Sequence, residues 1–139
     1  MNRLRDWQSR LRDVIASRTD ASFTWWANDC CTFASACVEA VTGHNRLEGL
    51  GPWKDEREAL RFIASFGGLR AAIGSVLGAE IPPTLAQAGD IGLYVERDRE
   101  AVAVWAGSGW LAPASAGLAR IDDSAVIAAW RCTGEPENA

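Results

Sequence analysis

Along the first seventeen residues the apolar positions Leu4, Trp7, Leu11, Val14 and Ile15 recur every three or four places, with Arg, Asp and Gln between them. That period puts one apolar stripe on a helix, so it predicts an amphipathic helix over 3–17. The period is lost from Arg18 to Ala27, where Thr19, Asp20 and Ser22 precede Phe23, Trp25 and Trp26, and a loop or short extended piece is predicted there. Helical spacing returns with Phe33, Ala34, Cys37, Val38 and Val41. Asn28 or Asp29 supplies an N-cap and Gly43 a stop, which predicts a mostly buried second helix over about 30–42. A Gly-rich loop runs from His44 to Trp53. Asp55 and Glu58 then have capping-box spacing and open a third helix toward Phe66, closed by Gly67-Gly68. Leu69, Ile73, Val76 and Leu77 predict a short fourth helix ending at Gly78.

Pro82-Pro83 is the strongest break, and short apolar runs with turn signals follow it. Gly89-Asp90 precedes the run Ile91 to Val95. A polar turn from Glu96 to Glu100 leads to Ala101–Trp105, Gly107-Ser108-Gly109 forms a hairpin turn before Trp110, and Val126 to Cys132 closes the sheet. Helices first and antiparallel strands second is an α+β layout. The reading is a single domain over 1–139, with a helical part at about 3–78, a sheet at about 89–132 and a loose tail at 133–139.

The 139 residues are enough for one domain with a real core. Apolar residues at 48% and charged residues at 23% match ordinary globular chains rather than disordered ones. A net charge of −4 gives no global attraction to nucleic acid or to an anionic membrane, so neither is an expected partner. Arg3, Arg5, Arg10 and Arg12 read as a solvated helix face. No stretch reaches the roughly 18 apolar residues of a membrane span, and no apolar signal core follows the N-terminus. Cytoplasmic synthesis is the expectation, with departure only inside a larger assembly. The four cysteines, Cys30, Cys31, Cys37 and Cys132, are expected as free thiols in such a compartment. Seven tryptophans imply a core of large rings and at least one ring at an interface.

A thiol in the first turn of a helix meets unpaired N–H groups and the positive dipole end, which stabilise the thiolate. Cys30 and Cys31 are so placed. Metal binding is not expected: Cys30 and Cys37 lie two turns, roughly 10 Å, apart, Cys30 and Cys31 diverge by about 100° around the axis, and Cys132 would complete only a pair. No cofactor is expected either, since the chain has no phosphate loop, dinucleotide fingerprint or Gly-x-Ser-x-Gly elbow. Glu56 and Glu58 read as solvated helix surface.

Five features occur in order: Trp26-Ala27-Asn28-Asp29-Cys30, the Thr42-Gly43 helix end, the Gly67-Gly68 stop, Gly89-Asp90 before the strands, and Ala129-Trp130-Arg131. From about Trp7 to Cys132 this series resembles the NlpC-type, papain-like cell-wall peptidases, and more closely a phage-encoded branch of that fold. The resemblance implies N-terminal helices packed on a small antiparallel sheet, with Cys30 at the nucleophile position and Asp29 as its neighbour. It also implies a general-base His on the second strand. The matching stretch here, Ala101 to Gly107, has none, so the base position is vacant at Ala101. A third, orienting polar residue belongs near Trp110 to Pro113, where Leu111 and Ala112 offer nothing suitable. The chain's single histidine, His44, is fourteen residues past Cys30, roughly 20 Å along a helix, whereas nucleophile and base must come to about 3 Å. A carboxylate at Asp29 is poorly matched to proton transfer at neutral pH.

With the base missing, the resemblance implies a pseudoenzyme: a structural tail-tip or tail-assembly protein of a phage or phage-like particle, made in the host cytoplasm and carried in the virion. Its partners are then other tail proteins. The alternative is an active peptidoglycan peptidase or amidase that uses Cys30 on a wall peptide during DNA entry, with a base supplied unconventionally or by a neighbouring subunit. A free cytoplasmic binding domain is a third reading.

Overall fold

A computed structural model describes residues 3–133. Four helices, α1 (Trp7–Arg18), α2 (Cys30–Thr42), α3 (Glu56–Ala64) and α4 (Leu69–Leu77), precede a six-stranded sheet. Its strands are β1 (Glu80–Ile81), β2 (Ile91–Glu96), β3 (Arg99–Trp105), β4 (Trp110–Ala114), β5 (Gly117–Ile121) and β6 (Val126–Trp130). They pair antiparallel in the order β1-β6-β2-β3-β4-β5, so the chain is α+β as its pattern predicts.

The four helices form where the apolar period and the caps place them, with shifted ends. α1 starts at Trp7 rather than residue 3. α3 stops at Ala64, and its capping box is only half made: Asp55 accepts from the Glu58 N–H, while Glu58 accepts from Lys54 N–H instead of reaching Asp55. Two strands escape the sequence pattern. β1 is two residues long, lies before the Pro82-Pro83 break and pairs with the end of β6. β5 is an edge strand in which Gly117, Ala119 and Arg120 dilute the apolar alternation that would have marked it. The residues expected in the tail beyond Thr133 lie outside the described residues.

One face of the sheet packs under the helices. Leu11 of α1, Phe33, Cys37, Val38 and Val41 of α2, and Leu69 and Leu77 of α4 meet Ile91, Leu93, Val102, Val104 and Trp130. The alternate positions of the same strands face the other way and form a second cluster with Tyr94, Ala103, Trp110 and Val126. Small residues make that cluster possible. A Cβ on Gly92 would stand 2.6 Å from Trp110 Cζ3, so the ring of a residue two strands away lies directly over the β2 backbone. Of the seven tryptophans, Trp53, Trp110 and Trp130 are buried and the other four half-buried.

Arg3 departs furthest from its expected place. It is not on a solvated helix face: its guanidinium is buried, donating to Asp90 Oδ1 at 2.9 Å, to the Ala88 carbonyl at 2.7 Å and to the Cys132 carbonyl at 3.0 Å. Asp90, fully buried, also accepts from the N–H groups of Gln87 and Cys132. Asp90 thus fastens the segment before α1 to the start of β2 and the end of β6. Arg10 also turns inward, to the Ala40 carbonyl on α2.

Candidate functional site

The start of α2 is built by Asp29. It takes an extended backbone at the N-cap, its Oδ1 accepts from the N–H and hydroxyl of Thr32, and Thr32 Oγ1 accepts in turn from the Asp29 N–H. Its other oxygen, Oδ2, accepts from the Trp26 N–H at 2.8 Å and from Trp53 Nε1 at 2.6 Å. Trp26 reaches this position with a positive φ of 67°, and its ring meets that of Trp53 edge to face. A buried carboxylate holding four donors is a helix cap and loop anchor, with no lone pair aimed at a substrate proton.

Cys30 follows as the first residue of the helix and opens into a cleft of about 450 Å³. Trp25 and the start of α3 wall one side, Tyr94 and Ala101 of the β2–β3 pair the other, and Pro113 of β4 closes the end. Ala101, where the resemblance expects a base, therefore shares the cleft with Cys30 and brings only a methyl group. His44 sits beyond the opposite end of α2, exposed after the left-handed Gly43 cap. Leu111 and Ala112 do not line the cleft, and Pro113, which does, carries no polar side-chain atom.

The Cys30 pKa is lowered, chiefly by the neighbouring Cys31 thiol and further by the Val102 backbone, against burial and the Asp29 charge. Cys31 pays the complementary cost and is raised well above the ordinary thiol range. Cys37 and Cys132 are buried core thiols, also raised by burial, Cys132 to about 12. Among the described residues no group of three or more His, Cys, Asp or Glu side chains is placed to hold a metal ion.

Two features of the cleft were not read from the sequence. Glu56, taken as solvated helix surface, pairs with Arg99 at the start of β3, so an ion pair joins opposite walls of the cleft. Tyr94 is opposite Ala101 in the β2–β3 register, 8% exposed and among the cleft's lining residues. Burial, with Cys30 and Glu96 nearby, pushes its phenol up to about 12, so it stays protonated. Cross-strand register would have found Tyr94 once the β2–β3 hairpin was drawn. The turn is the two-residue Arg97-Asp98, both with positive φ.

Helices over one face of an antiparallel sheet, with a thiol at a helix start facing a cleft on that sheet, define a class of α+β domain with a cysteine-centred cleft. The chain matches, over residues 2–132, the family described as a domain of unknown function, DUF6950, and it belongs to that family. No curated protein matches it. Among the described residues no single helix is long and apolar enough to cross a membrane.

Proposed function

We propose that this chain is a structural tail-tip or tail-assembly protein of a phage or phage-like particle, built on a degenerate NlpC-type, papain-like domain that does not hydrolyse amides. The observation that carries the loss of hydrolysis is the pairing of Cys30 with Ala101 across one cleft, with no imidazole in reach and Asp29 committed to the helix cap. Amide hydrolysis needs a group that takes a proton from water or thiol and returns one to the leaving amine. The virion setting comes from the sequence resemblance, since fold alone does not give function. Partners are then other tail proteins, and the cleft has room to hold a wall peptide without cutting it. Mass spectrometry of purified particles tests the setting: the chain is expected at fixed stoichiometry with the tail proteins. Finding it only in the soluble host fraction removes the tail assignment.

A further inference from the structure

Two cavities lie against α3. The first is the Cys30 cleft, which Glu56, Ala59, Leu60 and Ile63 line from the helix. The second, about 100 Å³ and almost wholly apolar, lies against Phe62, Ile63 and Phe66, with α2 and α4 forming its other walls. Cys31, Ile63 and Leu69 border both, so α3 contributes one of the side chains that divide them. A helix over two cavities lacks the neighbours that hold a packed helix down. Of its nine residues only Ala59 is buried, and Leu60 is exposed. By contrast α4, next in the chain, is docked by the buried Leu69 and Leu77. Low burial marks the elements that open locally while the rest of a fold stays closed.

The two ends of α3 differ. Before it, Trp53 is buried, donates to Asp29 Oδ2 and packs its ring 5.0 Å from that of Phe62, which makes a fixed point. After it, Gly67 and Gly68 have φ of 94° and 120°. A Cβ would come no nearer than 3.8 Å to any atom at Gly67 and would meet nothing within 4 Å at Gly68. The joint between α3 and the docked α4 is therefore both conformationally permissive and sterically open. Among the described residues, the one polar side-chain link from α3 to the sheet is the Glu56–Arg99 pair across the cleft; Glu58 is engaged locally, with Lys54 and the Asp55 cap. Both partners of that pair are largely exposed, so water and salt compete with it.

We propose that α3 is a hinged lid on the Cys30 cleft, turning between the fixed ring of Trp53 and the Gly67-Gly68 joint and held shut by the Glu56–Arg99 ion pair. Opening carries Ile63 away from Cys31 and Leu69, which joins the two cavities and widens access to Cys30. The device governs what reaches the thiol, and it operates whether or not an amide is cut there.

The experiment follows amide hydrogen exchange and Cys30 labelling on the full chain at low ionic strength. The α3 amides are expected to exchange at least about tenfold faster than the α2 amides from Phe33 to Val41. Arg99→Gln is expected to speed α3 exchange about two- to fivefold and leave α2 unchanged, and the charge swap Glu56→Arg with Arg99→Glu to restore the wild-type rate. Labelling of Cys30 by a bulky maleimide, measured against iodoacetamide by peptide mapping, should rise by the same factor in Arg99→Gln. Equal protection of α3 and α2 would overturn the lid, because α3 would then open only with the whole domain. Unchanged α3 exchange in Arg99→Gln would overturn the latch. Faster α3 exchange with an unchanged labelling ratio would show fraying that does not gate the cleft, and would overturn the inference as well.

Discussion

Trp53 Nε1 donates to Asp29 Oδ2 at 2.6 Å, joining residues 24 positions apart. This bond fixes the loop before α3 against the start of α2 and takes the acceptor that a catalytic carboxylate would need free. Asp29→Ala removes a cap and strands several buried donors, so a loss of about 3 kcal/mol is expected in urea unfolding. Asp29→Asn, which keeps an oxygen for the cap, is expected to lose about half of that. An unchanged midpoint in Asp29→Ala would show that the carboxylate is not structural.

The Arg3–Asp90 pair makes a second prediction. Both side chains are out of water, and breaking such a pair leaves a buried charge uncompensated, at a cost of about 3–5 kcal/mol. Asp90→Ala is expected to be that severe. Arg3→Met is the milder variant, because Asp90 retains the Gln87 and Cys132 N–H donors and Arg131 at 3.6 Å. In a double-mutant cycle, Arg3→Met with Asp90→Asn should cost less than the two single changes summed. Strict additivity would mean that the residues do not act as a pair.

Gly92 owes its identity to Trp110 rather than to backbone conformation. Gly92→Ala should destabilise by about 1–3 kcal/mol, since the added methyl meets the indole at 2.6 Å. The same change in a Trp110→Leu background should cost clearly less. Equal costs in the two backgrounds would place the strain elsewhere.

Alkaline stability follows from the buried titrating groups. Cys37, Cys132 and Tyr94 all have folded-state pKa values raised mainly by burial, the last two to about 12. A raised folded value means that the stabilisation is complete below the ordinary unfolded value, about 8.5 for thiols, and is lost as the pH climbs through the folded one. The urea midpoint should therefore hold to about pH 8 and fall steadily above it. A midpoint flat to about pH 11 would contradict the burial of these groups.

The sequence showed what local physics writes. The Gly43 stop and the 3.6-residue apolar period place α2 at about 30–42, and the structure chooses Asp29 over Asn28 as its cap. Features that depend on distant partners were not legible. Arg3 looks like surface until Asp90 and the carbonyls of Ala88 and Cys132 close around it, and β5 carries too weak an alternation to be seen outside its pairing with β4. Tyr94 reads as one more apolar strand residue until register sets it opposite Ala101.

We propose that Cys30 keeps a nucleophile's environment in a cleft without a base. Ala101→His should partly restore what is missing, giving a pH profile of Cys30 alkylation with a new inflection in the imidazole range, near pH 6.5. A profile unchanged from wild type would mean that position 101 does not face the thiol.

The most direct measurement pairs two readouts on one sample of the wild-type chain at pH 7: alkylation of Cys30 by iodoacetamide and cleavage of a synthetic cell-wall stem peptide. Rapid alkylation of Cys30 with an intact peptide is the predicted result. Peptide cleavage that disappears in Cys30→Ser would contradict it.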